Sequence, residues 1–165
     1  MSKRIDIAPR DDRVKTGVTD AAAVAEGLSG VLGDTYRLVF KTHAYHWNVE
    51  GPLFYGIHNL TEAQYEDMFA AADALAERIR ALGRLAPSQL AEIMDLSAVK
   101  DRDSLPSALE MCADLAADHE RVAKRLHRVI ELAEKHADPV TADLATARSA
   151  FHENAAWMLR AVARS

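Results

Sequence analysis

The fold is decided between His46 and Glu77, in the stretch HWNVEGPLFYGIHNLTEAQYEDMFAAADALAE. Gly51 and Pro52 interrupt the chain, and beyond them Leu60, Phe69, Leu75, Ile79 and Leu82 recur as the apolar positions of a helix that ends at Gly83, with Pro87 just after it. On this helix His58 and Glu62 stand at i and i+4, and Asp73 and Glu77 do so again, so each pair projects from one face. Imidazole and carboxylate donors together suit iron or a similar divalent ion and need no thiolate.

Working outward, Val24, Leu28, Val31, Thr35, Val39, His43 and His46 recur at three- and four-residue steps, which predicts a first helix from Asp20 to about Trp47. Residues 88–103 are too interrupted for a full bundle helix and read as a crossover, with a short helix at Gln89 to Met94. Ser104 is the expected N-cap of the next helix, with Pro106 in its first turn and Leu109, Leu115, Val122, Leu126, Val129 and Leu132 along its face. Asp138 and Pro139 cap and start the last one, whose expected face is Val140, Leu144, Phe151, Ala155, Met158 and Val162. The fold class is therefore all-α, a four-helix bundle with a short extra helix in the crossover between helices two and three.

The division is a flexible, mildly basic tail over residues 1–18 and one bundle domain over residues 19–165. A chain of 165 residues, 49% apolar, needs no staple, and its single cysteine, Cys112, excludes an intrachain disulfide. No apolar run is long enough to span a bilayer or to serve as an amino-terminal signal, and the reducing cytoplasm fits best. The formal charge of -5 argues against a basic nucleic-acid-binding body. Lys3, Arg4, Arg10, Arg13 and Lys15 stand against Asp6, Asp11 and Asp12, so DNA contact and nucleoid association are expected to be weak and confined to the tail.

Glu62 and Asp73 are eleven residues apart, about 16 Å along a helix, so one chain's helix cannot close a site around one metal ion. Two copies crossing antiparallel near Asp67 and Met68 would set His58 and Glu62 of one against Asp73 and Glu77 of the other, and an isologous contact of this kind makes the site twice. His46 completes the histidine half. A carboxylate di-iron centre inside one bundle typically draws on Glu-x-x-His on two helices, and the chain contains no such motif.

His46-Trp47-Asn48-Val49-Glu50-Gly51, then Phe54, His58, Glu62, Asp73 and Ala76-Glu77-Arg78, resemble the ferroxidase signature of the Dps family, the miniferritins of the ferritin-like superfamily. The resemblance extends over about residues 20 to 163, including the closing segment from His152 to Arg160. It implies a hollow dodecamer built from two-fold dimers, in which Fe(II) is oxidised, preferentially by hydrogen peroxide, and stored as ferric mineral, protecting DNA from oxidative damage. His46, His58 and Glu62 would come from one subunit and Asp73 and Glu77 from its mate, with Trp47 donating an electron or packing. The family often has Lys where His43 stands and Asp where Glu62 stands, and Glu62 still supplies an oxygen donor.

His43 stands at i, i+3 from His46 as an extra or outer ligand or as a hydrogen-bonding residue of the interface, and Asp138 and Asp143 resemble acidic positions lining the family's three-fold iron pores, although Asp138 is also an ordinary N-cap. His119, His127, His136 and His152 are expected to be packed or surface residues without a catalytic role. Two competing readings are a structural nucleoid protein that binds DNA with incidental iron, and a metal-regulated helical adaptor that needs only a dimer.

Overall fold

The computed structural model describes residues 13–164. Five helices follow one another, α1 (Ala21–Asn48), α2 (Phe54–Ala81), α3 (Leu90–Leu96), α4 (Ala108–Lys135) and α5 (Pro139–Val162), and no strand occurs among the described residues. The tight pairs are α1 with α2 and α4 with α5, two antiparallel hairpins, with α1 also against α4, while α3 lies on α1 in the crossover. This is the all-α four-helix bundle with a short crossover helix that the spacing predicts. Residues 1–12 of the expected tail lie outside the described residues. Within 13–18 the Val14 amide donates to the Ala81 carbonyl at 2.9 Å, and Val18 packs half-buried on the core.

Local chemistry sets the helix ends. Asp20 caps α1 by accepting from the Ala23 amide at 3.0 Å. At the end of α2, Gly83 adopts φ +80, which lets its amide reach the Arg80 carbonyl and the Arg84 amide reach the Ile79 carbonyl, the paired bonds of a Schellman turn. The start of α4 differs from expectation. Its N-cap is Ser107, not Ser104, because Glu110 lies three residues on and accepts from the Ser107 amide at 2.9 Å, completing a capping box that Ser104 has no partner for. Pro106 accordingly precedes the cap.

The core stripes also shift relative to the expected faces. On α1, Leu38 is fully buried in place of Val39, and on α2 Met68 is buried while Phe69 is 63% exposed. On α5 the buried face is Thr141, Ala145, Ser149, His152, Ala155, Ala156 and Leu159, and Val140 is 57% exposed. The reason is packing. Small residues line the inward face of α5 and let it approach α4 closely, which turns the larger side chains to the flanks.

Buried ion pairs tie the hairpins together. Lys41 Nζ lies 2.6 Å from both Asp114 and Asp118 of α4 and donates to the Lys100 carbonyl at 3.0 Å, and the Tyr45 hydroxyl donates to Asp114 at 2.7 Å. Burial raises the Asp118 carboxyl above its ordinary range, and Lys41 works against that shift by favouring the charged form. Arg125 of α4 bonds Asp34 of α1 at 2.8 Å and the Leu96 carbonyl at 3.1 Å, while Asp34 accepts from Ser97 and Ala98. That network pins the crossover, and Gly33 allows it: a Cβ there would lie 2.9 Å from the Ile93 carbonyl oxygen. Cys112 is fully buried, and burial pushes its thiol up to about 11, which makes it a packing residue.

Inside the bundle His119 of α4 and His152 of α5 meet at 2.8 Å between Nδ1 atoms. Burial, reinforced by the Arg148 cation, pushes His119 down to about 3 and His152 well below its ordinary value, so the folded pair stays neutral where the unfolded chain, near 6.5, takes up protons. The pair therefore contributes stability above pH 6.5 that is lost as pH falls from 6.5 toward 3. The expected outcome is a thermal midpoint that declines on going from neutral to acidic buffer, with a shallower decline in His119→Asn. Equal slopes for the two proteins would remove this assignment.

Candidate metal centre

α1 ends and α2 begins so as to bring two imidazoles face to face. His46 is in the last turn of α1 and His58 in the first turns of α2, joined by the short link through Gly51, which adopts φ +95. The rings stack with centroids 3.7 Å apart and 18° between planes. His46 Nδ1 lies 2.9 Å from the His58 carbonyl oxygen, and His58 Nδ1 lies 3.0 Å from the His46 carbonyl oxygen. A carbonyl oxygen only accepts, so both Nδ1 atoms carry the proton and both Nε2 atoms present a bare lone pair. The two bonds fix ring orientation as well as tautomer, as an outer shell does for a metal-binding histidine.

Other groups hold this pair. The Thr61 hydroxyl, buried, donates to the Ile57 carbonyl at 2.7 Å and stands 3.5 Å from His46 Nδ1. Phe54 covers His58, with ring centroids 4.9 Å apart. Glu62 follows His58 by one turn, half-buried, and its charge together with burial raises the Tyr65 hydroxyl, which bonds it. Tyr65 in turn stacks on His43 at 4.2 Å and meets His46 edge-on at 5.3 Å. His43 lies between Tyr65 and Trp47, 4.1 Å from the latter and 5.9 Å from His46, so it buttresses the site through Tyr65 and does not join the stacked pair. Trp47 is 57% exposed.

The structure thus brings His46 and His58 together, with Glu62 one turn farther along α2 and bonded to Tyr65. Asp73 and Glu77 are elsewhere. Both lie exposed farther along the same unbroken α2, Asp73 about 16 Å and Glu77 about 22 Å beyond Glu62 by helical rise. Among the described residues no three His, Cys, Asp or Glu side chains converge as a metal-binding group.

The pore candidates separate. Asp138 is fully buried: Oδ1 accepts from Arg78 at 2.7 Å and from the Thr141 amide at 3.0 Å, and Oδ2 accepts from the Thr141 hydroxyl at 2.6 Å. Burial opposes its charge, but the Arg78 and Thr141 bonds prevail and hold the carboxyl below its ordinary range. Asp138 is a helix cap locking α5 to α2, and its oxygens are not available to line a channel. Asp143 is exposed on α5. Of the groups around the histidines, Thr61 and Tyr65 were not singled out by sequence. Their signal is the i, i+3 relation to His58 and Glu62, which carries meaning only once His58 and Glu62 are known to matter.

Comparison with known proteins agrees with this architecture. Residues 25–165 match the family model for the ferritin-like domain. A low temperature-induced protein of Nostoc is 37% identical over 152 residues, covering 90% of this chain and 85% of that one. A DNA protection during starvation protein of Bacillus anthracis is 31% identical over 138 residues, covering 84% of this chain and 94% of the other. Among solved structures, a Dps protein from Bacillus brevis superposes with a TM-score of 0.83 at 30% identity, over 90% of this chain and 99% of that one. With the bundle, the crossover helix and these relatives in agreement, the chain belongs to the Dps family of ferritin-like proteins.

Proposed function

We propose that the protein oxidises and stores iron, as a cage of identical subunits whose oxidation sites lie between two-fold mates, and so protects DNA from oxidative damage in the cytoplasm. The observation that carries the proposal is the reciprocal bonding of His46 and His58, which leaves two bare Nε2 lone pairs beside Glu62 on a half-formed site. Asp73 and Glu77 of the mate supply the missing oxygen donors, and neither is held by a hydrogen bond or ion pair within its own described chain. The assembly that fits is the dodecamer built from such dimers, with the mineral inside.

Imidazole holds Fe(II), and the added carboxylates favour the more highly charged Fe(III) that forms. With hydrogen peroxide as oxidant, two Fe(II) ions give one electron each, the O–O bond breaks, and two hydroxide ions result, so that no hydroxyl radical need escape. Two iron positions at each intersubunit site suit that two-electron balance. Exposed apolar side chains near or on α2, Phe54, Tyr55 and Phe69 among them, fit a face that is covered by another subunit. The -5 charge leaves DNA contact to the amino-terminal segment, much of it outside the described residues, so protection is assigned to removal of iron and peroxide.

His46→Ala combined with His58→Ala is expected to slow peroxide-driven Fe(II) oxidation by about 10-fold or more, followed optically, while size-exclusion still shows the large assembly. Asp73→Ala with Glu77→Ala is expected to act alike. Oxidation at the parent rate in the histidine variant would remove the assigned site.

A further inference from the structure

The axis of the bundle is not apolar throughout. Thr42 of α1, Gln64 of α2, His119 of α4 and His152 of α5 each occupy a buried position on the inward stripe of their helix. Their levels follow from contacts around them. Lys41 bonds Asp118, which sets Thr42 beside His119, and His43 stacks on Tyr65, which sets Thr42 beside Gln64. Arg148 pairs with Asp67 at 2.7 Å, so Gln64, one turn back on α2, is level with His152, one turn on along antiparallel α5. His119 and His152 touch directly. One polar side chain from each long helix therefore meets in a single layer.

That layer is under-bonded. Thr35 and Thr61, in the same kind of position, spend their hydroxyls on the carbonyls of Val31 and Ile57, at 2.8 and 2.7 Å. The Thr42 hydroxyl has no partner, and neither do the two amide atoms of Gln64 nor Nε2 of His119. Exposure of these residues is 0%, 2% and 0%, so bulk solvent does not meet the need. Native interiors seldom leave such atoms orphaned.

We infer that this four-helix layer is a binding site for buried water, with at least one molecule bridging Gln64, His119 Nε2 and Thr42. The chemistry selects that ligand. The set offers the amide N–H groups and the hydroxyl as donors and the amide oxygen as acceptor, with no anionic side chain in the layer. A cation gains nothing from it and is disfavoured by Arg148, whose charge faces the histidine pair. An anion finds the Arg148 charge already paired with Asp67, although Nη2 makes no aligned hydrogen bond there. A small neutral molecule that both donates and accepts suits the Thr42, Gln64 and His119 atoms together, and water forms about three such bonds when buried. The layer then works as a polar register mark that fixes the α1·α2 hairpin against the α4·α5 hairpin, a task apolar stripes perform loosely.

The test is a high-resolution crystal structure of the full-length assembled protein, with diffraction also recorded for anomalous signal from transition metals. The expected result is one or more peaks without anomalous signal, at about 2.7–3.2 Å from Gln64, Thr42 and His119 Nε2, and absent in Gln64→Leu. Direct bonds from Gln64 to His119 and Thr42 with no density between them would overturn the inference. So would an anomalous peak joining the two histidine Nδ1 atoms, which would make the layer a metal site. The parent density decides the matter even if the leucine variant does not fold.

Discussion

A helix rises about 1.5 Å per residue, and the structure depends on that fixed step. α2 runs without a break from Phe54 to Ala81, so Glu62 and Asp73 cannot approach each other however the side chains turn. The donors at its two ends serve one metal centre only if a second α2 lies antiparallel against the first. The fold keeps α2 unbroken, caps it with a Schellman turn at Gly83, and ties its far end to α5 through Arg78 and Asp138. A kink would move His58 and Glu62 relative to Asp73 and Glu77, and so spoil the match that the proposed shared site needs.

Rigidity near the histidines has a different source. His46 and His58 hold each other's backbone carbonyls, so the turn between α1 and α2 is also the device that sets both tautomers. Thr61 and Tyr65 surround that pair, and His43 and Trp47 extend the ring contacts outward. Behind them Lys41, Asp114 and Asp118 clamp α1 to α4. Breaking such a buried pair by removing one partner leaves an uncompensated charge, which costs about 3–5 kcal/mol, so the clamp holds α1 in place behind the site.

Much of this was legible in the sequence, for identifiable reasons. The four-residue spacing of His58 with Glu62 and of Asp73 with Glu77 fixes faces on a helix, and the eleven-residue gap fixes a distance, so the separation of the two pairs along α2 could be read without coordinates. The Asp138-Pro139 start of α5 was equally plain. What resisted reading depends on tertiary partners. Ser104 and Ser107 both qualify as caps, and only the Glu110 bond separates them. On α5 the largest apolar residues suggested a face that close packing against α4 turns aside. Asp138 gave no sign of Arg78, sixty positions earlier. His119 and His152 look like isolated histidines until the fold sets them 2.8 Å apart.

The central claim, that each oxidation site is shared between two chains, is tested most directly by subunit mixing. One variant lacks the histidine half through His46→Ala and His58→Ala, and the other lacks the carboxylate half through Asp73→Ala and Glu77→Ala. Each alone is slowed about 10-fold or more on this account. When the two are co-expressed in equal amounts and form mixed assemblies, half of the two-fold dimers are hybrids and each hybrid restores one of its two sites. Fe(II) oxidation should therefore return to about a quarter of the parent rate. Mixed assemblies as slow as either variant would contradict the account and place the whole site within one chain.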